Sequence, residues 1–126
     1  MKFVQTDKAP SAIGPYSQAV VANGMVYTSG QIALTPEGSD AVLSQGVVEQ
    51  TTLVMKNLEA VLVEAGSSLD SVVKTTIFLA SMDDFSVVNG IYEEAFGTHK
   101  PARATVAVKT LPKNALVEID AIALVK

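Results

Sequence analysis

The sequence has no cysteine and only one histidine, His99, among its 126 residues. Disulfide bonds and thiol chemistry are therefore excluded, and a metal site would have to be built from carboxylates. A serine–histidine–aspartate triad is also a poor fit, because neither Ser17 nor Ser29 has a histidine nearby in the sequence. His99 itself follows a glycine-containing loop beside Lys100 and is expected to be solvated. No glycine-rich phosphate loop is present.

Long apolar runs and clusters of positive charge are also missing. No apolar stretch approaches the roughly 20 residues of a membrane-spanning helix, and the N-terminal segment MKFVQTDKAP lacks the apolar core of a signal peptide. We therefore expect a cytoplasmic protein without a membrane partner. The nine Lys and Arg residues are scattered and the net charge is −4, so that binding to a phosphate backbone would work against the overall field. Nucleic acid is accordingly not expected as a partner.

The chain is rich in residues that form a core, since 48% of it is hydrophobic. Its length is that of one domain, 1–126, and is sufficient to bury a substantial core. This composition argues against disorder. We find no internal repeat, linker or low-complexity segment, so a single folding unit is predicted.

The first half of the chain predicts a β-hairpin followed by a helix. In YSQAVVANGMVYTSGQI, two β-prone runs flank Asn23-Gly24, a pair suited to the positive φ angles of a type I′ turn. A short strand around Phe3 is expected before this hairpin. Apolar residues then recur every three or four positions from Val47 to Ala65, which predicts one helix that Gly66 ends.

The second half predicts strand, helix and two further strands. SVVKTTIFLA is β-branched and apolar enough for a central strand, and Asp83 or Asp84 is expected to cap a second helix. The inner face of that helix is predicted to contain Phe85, Val88, Tyr92 and Phe96. Strands follow at 104–108 and 116–124. The order β-β-β-α-β-α-β-β predicts an α+β fold in which two helices cover one face of a mixed six-stranded sheet. The other face must then be polar or pack against copies of the chain.

Charged residues interrupt the two last strands. In PARATVAV, Arg103 shares one strand face with Thr105, and in LVEIDAIAL, Glu118 shares one face with Asp120. If these strands pair as a hairpin, the polar residues of both can meet on the face that the helices leave bare. A guanidinium matches a carboxylate bidentately, and a neighbouring carboxylate can orient or deprotonate a water. The alternative is a solvated Arg103–Glu118 salt bridge, which contributes little.

Other polar residues have two interpretations as well. Tyr16 after Gly-Pro, and Ser29 before Gly30, are residues typical of turns. Asn89, beside the inner face of the second helix, more often supports packing than ligand binding. From residue types alone, each of these remains open between a structural and a binding role.

Four stretches together carry a resemblance to a known family: AIGPYSQAV, YTSGQI, VNGIYEEAF and PARATVAVKTLPKNALVEIDAIALVK. They occur in the expected order over nearly the whole chain, and the last is the most specific. The chain resembles the RidA (YjgF) family of reactive-intermediate deaminases. The resemblance implies a chorismate-mutase-like fold and a homotrimer with a central barrel, in which clefts lie between subunits and trimerisation buries the bare face of the sheet.

The resemblance also implies a reaction and a set of site residues. The reaction is hydrolysis of reactive enamines and imines, such as 2-aminoacrylate, 2-iminopropanoate and 2-iminobutanoate, to 2-oxo acids and ammonia, without a cofactor or metal. Arg103 would hold the substrate carboxylate and Glu118 would handle the hydrolytic water. The remaining cleft residues would be Tyr16, Ser29, Gly30, Asn89 and Thr105. The chain departs from many relatives at Lys100, where they have an aromatic residue, at Ala104, where they have serine, and at Thr105, where several have cysteine.

Two other functions stay open at this point. A small-ligand-binding or regulatory trimer would use the same cleft without turnover, and the presence of Glu118 favours catalysis over it. An RNA-cleaving or translation-inhibiting protein is the weakest hypothesis, because the chain is acidic and has no basic aromatic stripe.

Overall fold

Six strands form one mixed sheet in the computed structural model, which describes residues 1–126. The strands are β1 (Lys2–Val4), β2 (Ala19–Ala22), β3 (Met25–Thr28), β4 (Val72–Leu79), β5 (Ala102–Ala107) and β6 (Val117–Leu124). The helices are α1 (Val47–Glu64) and α2 (Phe85–Phe96). The predicted α+β fold with a six-stranded sheet and two helices is confirmed.

The strand order is β1-β2-β3-β6-β4-β5, so that β6 lies between β3 and β4 and is antiparallel to both. The predicted hairpin of β5 with β6 is wrong, because β5 pairs in parallel with β4. The reason is α2, which connects β4 to β5: a strand–helix–strand crossover returns the chain in its original direction. Consequently, β4 separates the strand of Arg103 from the strand of Glu118.

Local signals at the turn and helix ends are mostly as the sequence predicts. Asn23 and Gly24 have φ angles of 52° and 75°, as a type I′ hairpin requires. At the end of α1, Gly66 has a φ of 84°, and the amides of Gly66 and Ser67 donate to Val63 and Leu62. This pattern is a Schellman motif, which satisfies the last carbonyls of the helix.

The predicted cap of α2 is wrong. The Asp84 side chain makes no capping hydrogen bond. A short 3-10 turn, Met82–Asp84, precedes the helix, and Ser81 caps that turn by accepting from the amide of Asp83. Because of the added turn, the first unpaired amides lie before the helix, where Ser81 rather than Asp84 provides the cap.

The core lies between the helices and one face of the sheet. Along β6, the odd-numbered residues Val117 to Ala123 are buried while Glu118, Asp120 and Ile122 are half-buried. On the opposite face, Phe3 is 72% exposed, Tyr27 47% and Leu124 50%. The helices therefore cover one face and leave the other bare, with exposed apolar side chains and two carboxylates on it. Neither helix is long and apolar enough to cross a membrane.

Candidate functional site

Arg103 lies on the helix-covered side of the sheet. Its register partner in β4 is Thr75, which is 1% exposed and faces α2. The Arg103 Nη1 donates to Oδ1 of Asn89 at 2.7 Å. The guanidinium Cζ lies 5.0 Å from the ring centroid of Tyr92 and 5.6 Å from that of Phe85. These distances are within the range of cation–π attraction.

Helix α2 provides all three contacts of the guanidinium. Phe85, Asn89 and Tyr92 are spaced four and three residues apart, which places them on one face of the helix. Val88, Tyr92 and Phe96 are buried, so packing against the sheet fixes the rotation of the helix. Burial raises the pKa of the Tyr92 hydroxyl, whereas the hydrogen bond with Thr75 and the charge of Arg103 act in the opposite direction. Tyr92 is thus neutral under the guanidinium at ordinary pH.

A groove of about 350 Å³ opens beside Arg103. We call it the Arg103 groove; its lining residues are Asn89, Tyr92, Glu93, Phe96, Gly97, His99, Lys100, Pro101 and Arg103. His99 is half-buried and its Nε2 lies 2.7 Å from the carbonyl oxygen of Val72. The prediction that His99 is solvated is therefore wrong, because the end of α2 brings it against the start of β4.

Glu118 lies on the other face of the sheet, where it is packed over Gly30. A Cβ atom at position 30 would overlap the Glu118 carboxyl group. Burial raises the pKa of Glu118 above its usual value, and the nearby charge of Asp120 acts in the same direction. Burial also raises the pKa of Asp120, although Thr76 and Lys74 counteract the effect. A carboxylate whose pKa is raised toward neutrality is better suited to accept and return a proton.

A second cleft, of about 360 Å³, contains Glu118. We call it the Glu118 cleft; its lining residues are Pro10, Ser11, Ala12, Ile13, Tyr16, Gln18, Gly30, Gln31, Ile32, Leu34, Pro112, Lys113 and Glu118. Tyr16 and Ile13 are exposed at its edge. The cleft is thus a largely apolar hollow with one carboxylate.

Three buried amide side chains fix the irregular segments around the Glu118 cleft. Gln18 accepts from the amide of Thr6 at 2.7 Å and donates to the carbonyl of Pro10 at 2.7 Å. Asn57 donates to the carbonyl of Leu34 at 2.8 Å. Gln50 accepts from the amide of Leu116, which directly precedes β6, at 2.9 Å. Each side-chain amide thus provides hydrogen bonds to backbone groups that are not paired in the sheet.

The expectation that Arg103 and Glu118 meet on one face is wrong, and so is that of a salt bridge within the chain. They line different cavities on opposite faces of the sheet, because β4 separates their strands and the parity of β5 points Arg103 toward α2. The structure joins Arg103 with Asn89, and Glu118 with Tyr16 and Gly30.

The other two predicted residues lie apart from these groups. The Ser29 hydroxyl donates to the carbonyl of Ser17 at 2.6 Å and so fixes the turn before Gly30. The Thr105 hydroxyl oxygen is buried without a hydrogen-bond partner in the chain.

Several residues at these sites are not identified from the sequence. Tyr92 lines the Arg103 groove and Phe85 contacts the guanidinium, but the sequence predicts only a core role for both, although their spacing from Asn89 indicates a shared face. Gln18, Gln31 and Lys113 carry no motif, and only the folded segments bring them to Glu118. No group of three or more potential metal ligands is present.

Comparison with known proteins supports this architecture. The family model described as Endoribonuclease L-PSP matches residues 6–125. The chain is 49% identical over 122 residues to Reactive Intermediate Deaminase A, chloroplastic, of Arabidopsis thaliana, which covers 97% of this chain and 65% of that protein. It is 48% identical over 122 residues to the 2-iminobutanoate/2-iminopropanoate deaminase of Mus musculus, with coverage of 97% and 90%.

A solved structure agrees as well. The crystal structure of E. coli TdcF with bound serine has a TM-score of 0.91 and 39% identity to this chain, and the match covers 98% of both chains. The matched model, the identities and the shared fold cover nearly the entire sequence, and the chain therefore belongs to the RidA (YjgF) family.

Proposed function

We propose that this chain hydrolyses 2-imino acids and their enamine tautomers to 2-oxo acids and ammonia, at clefts between the subunits of a homotrimer. The substrates are small: 2-aminoacrylate, 2-iminopropanoate and 2-iminobutanoate. The observation that carries the proposal is that two groups needed for the reaction lie on opposite faces of the chain. One face of the chain presents a guanidinium, and the other presents a carboxylate with a raised pKa.

Trimerisation would join the two halves. The bare sheet face exposes Phe3, Tyr27 and Leu124, and exposed apolar side chains grouped on one face mark a protein contact. A cyclic trimer places two different surfaces of neighbouring subunits against each other. The Arg103 groove of one subunit would then lie beside the Glu118 cleft of the next.

In this site the residues have distinct roles. Arg103 uses one of its five N–H donors for Asn89, so that its remaining donors can hold the substrate carboxylate bidentately. The remaining proposed cleft residues are Tyr16, Ser29, Gly30 and Thr105. Of these, Tyr16 and Gly30 line the Glu118 cleft, whereas Ser29 fixes the turn before Gly30 and Thr105 lies on β5 with Arg103.

Hydrolysis then needs only a water and a proton carrier. Glu118 accepts a proton from the water as the water oxygen bonds to C2 of the imine, and returns that proton to the imine nitrogen, which gives a neutral carbinolamine. Glu118 then takes the proton of the C2 hydroxyl and passes it to the amino group, so that the C–N bond breaks, ammonia leaves and the 2-oxo group forms. The imine is already electrophilic, so this reaction requires neither a cofactor nor a metal.

The departures at Lys100, Ala104 and Thr105 bear on substrate range only. Lys100 adds a second positive charge to the Arg103 groove, whereas Ala104 and Thr105 change the polarity of β5. None of them removes Arg103 or Glu118.

Two substitutions test the division of roles. Arg103→Lys keeps the charge but loses the planar guanidinium that can bind a carboxylate bidentately. Imine hydrolysis and 2-oxobutanoate binding should therefore fall together. Glu118→Gln removes the base and should lower turnover on the order of 100-fold, with 2-oxobutanoate binding nearly intact. The measurements are a semicarbazide competition assay with an imine-generating dehydratase, and calorimetry on the same samples. The matched control is Asp120→Asn, which should change turnover much less.

The alternative is a ligand-binding or regulatory trimer that uses the same cleft without turnover. The bound serine of TdcF is an observation of this kind for that protein. Wild-type hydrolysis by Glu118→Gln would remove the water-handling role and favour this binding function.

A further inference from the structure

Tyr92 contacts the guanidinium of Arg103 and is itself bonded to the sheet. Its ring lies under Arg103, with Cζ 5.0 Å from the ring centroid. Its hydroxyl forms a 2.6 Å hydrogen bond with Oγ1 of Thr75. Thr75 is the neighbour of Arg103 in the register of β4 and β5. The three side chains thus contact one another, and through Tyr92 helix α2 contacts both β4 and the strand that carries the arginine.

The contact between Thr75 and Tyr92 contains two buried hydroxyl groups, which packing alone would not require. Thr75 is 1% exposed and Tyr92 6% exposed, so that their two hydroxyl groups depend on each other for a partner. The Tyr92 ring also contacts the Phe96 ring, with 4.6 Å between the centroids and a tilt of 43°. Contacts with Thr75 of β4 at the hydroxyl and with Phe96 of α2 at the ring therefore restrain Tyr92.

We infer that Tyr92, fixed by Thr75, is the positioning residue for Arg103. The ring supplies the surface on which the guanidinium lies, and the bond to Thr75 determines where that surface is. Asn89 orients one edge of the guanidinium through Nη1, and Tyr92 sets its height above the sheet. The inference rests on the proposed function, because the positioned guanidinium is the group that holds the substrate carboxylate there.

The chain allows a direct test, because Arg103 is its only arginine. The side-chain Nε–H group of Arg103 therefore gives a single, unambiguous signal in a ¹⁵N-correlated NMR spectrum. A guanidinium above the face of an aromatic ring is shifted upfield by the ring current. Tyr92→Leu should reduce that shift, with the Phe85 ring still 5.6 Å away. It should also raise the dissociation constant of 2-oxobutanoate about tenfold, which is in the range of a desolvated cation–π contact.

The hydroxyl pair is tested separately. Thr75→Val should move the Arg103 signal and raise KM for the imine about threefold, with a smaller change in kcat, because the loss is in substrate holding. Thr75→Ser keeps the hydroxyl and should restore both the signal and KM. The double variant Thr75→Val/Tyr92→Phe removes both polar groups without leaving either unpaired. It should regain much of the thermal stability while KM stays raised, which a purely structural role would not produce.

The outcomes separate this inference from the proposed function. An unmoved Arg103 signal in folded Tyr92→Leu and Thr75→Val, with wild-type affinity for 2-oxobutanoate, would overturn the positioning role. If Tyr92→Leu does not fold, the Thr75→Val and Thr75→Ser pair decides alone. If the wild-type protein neither binds 2-oxobutanoate nor hydrolyses imines, the proposed function fails, while the NMR shift still reports whether Tyr92 holds the guanidinium.

Discussion

At position 30, the absence of a side chain makes room for Glu118. A Cβ atom there would lie 2.8 Å from Cδ and 3.0 Å from Cγ of the glutamate, closer than such atoms approach each other. The φ angle of Gly30 is not positive, so any residue could adopt its backbone conformation. Glycine is needed here for space, and the space belongs to the carboxylate proposed to handle water.

Gly30→Ala should therefore affect activity more than stability. The methyl group displaces the flexible end of Glu118, and a shift of about 1 Å in a catalytic group costs on the order of 100-fold in rate. Imine hydrolysis and thermal unfolding should be measured together.

Gly90→Ala is the matched control, because a Cβ atom at this position in α2 meets nothing within 4 Å. That variant should gain about 0.5–1 kcal/mol in the free energy of unfolding and keep its activity. A wild-type rate in Gly30→Ala would show that the placement of Glu118 is unimportant.

The second prediction concerns the pH dependence of Glu118. The glutamate must be ionised to accept a proton, and burial followed by the charge of Asp120 raises its pKa above the usual 4.5. The acid limb of kcat/KM should therefore lie above pH 4.5, with activity lost as the pH falls through the pKa of Glu118.

Asp120→Asn removes the neighbouring negative charge and should move this limb to lower pH. Asp70→Asn, at an exposed turn before β4, is the control and should leave the pH profile unchanged. A limb that does not move in Asp120→Asn would mean that the two carboxylates do not interact.

Among the structural elements, the segment before β2 depends most on one side chain. Gln18 is 3% exposed and joins Thr6, Ala9 and Pro10 to the start of β2. Gln18→Met keeps the approximate shape but leaves the amide of Thr6 and the carbonyl of Pro10 unpaired. We expect a loss of about 1–3 kcal/mol in the free energy of unfolding, together with faster amide hydrogen exchange in residues 6–13.

The same substitution at the exposed Gln5 is the matched control, and it should stay within about 0.5 kcal/mol of the wild type. Equal effects at both positions would show that the buried hydrogen bonds do not stabilise this segment.

Elements whose signals are local could be predicted from the sequence. The Asn23-Gly24 hairpin and the end of α1 at Gly66 depend on backbone angles that few residues adopt. The position of β6 could not, because its partners β3 and β4 are distant in sequence and nothing local specifies them. The parallel pairing of β4 and β5 could be predicted from the sequence, since α2 between them implies a crossover.

At the candidate site, the functional residues could be predicted from the sequence, but the residues that contact them in the fold could not. Arg103 and Glu118 stand out as charges in apolar strands, but their separation onto opposite faces follows from the registers of β4 with β5 and β6, which place Arg103 beside Thr75 and Glu118 beside Phe78. Asn89 could be related to Arg103 only once α2 had been packed on β5.

For the whole molecule, the proposed trimer makes a prediction that neither half-site alone could make. Arg103→Lys and Glu118→Gln should each have strongly reduced activity, but subunits of the two variants mixed and reassembled should regain activity. Each site needs Arg103 from one subunit and Glu118 from its neighbour, so random assembly of equal amounts gives about one quarter of the wild-type rate.

Light scattering should give three times the chain mass of 13.2 kDa for the mixture and for each variant. Mixed trimers without recovered activity would place both residues of a site in the same subunit or in no site at all.

The position of β6 has a consequence for how the protein is made. β3 and β4 have no strand between them except β6, and β6 is the last of the six strands to leave the ribosome. Until it emerges, a nascent chain holds two separate sheet fragments, and the apolar strand β4 has an open edge that is prone to aggregate. The same strand carries Glu118. Completion of the sheet and arrival of the proposed catalytic carboxylate are therefore one event, and a ribosome that stalls before residue 117 yields a chain that can neither finish folding nor acquire a catalytic base.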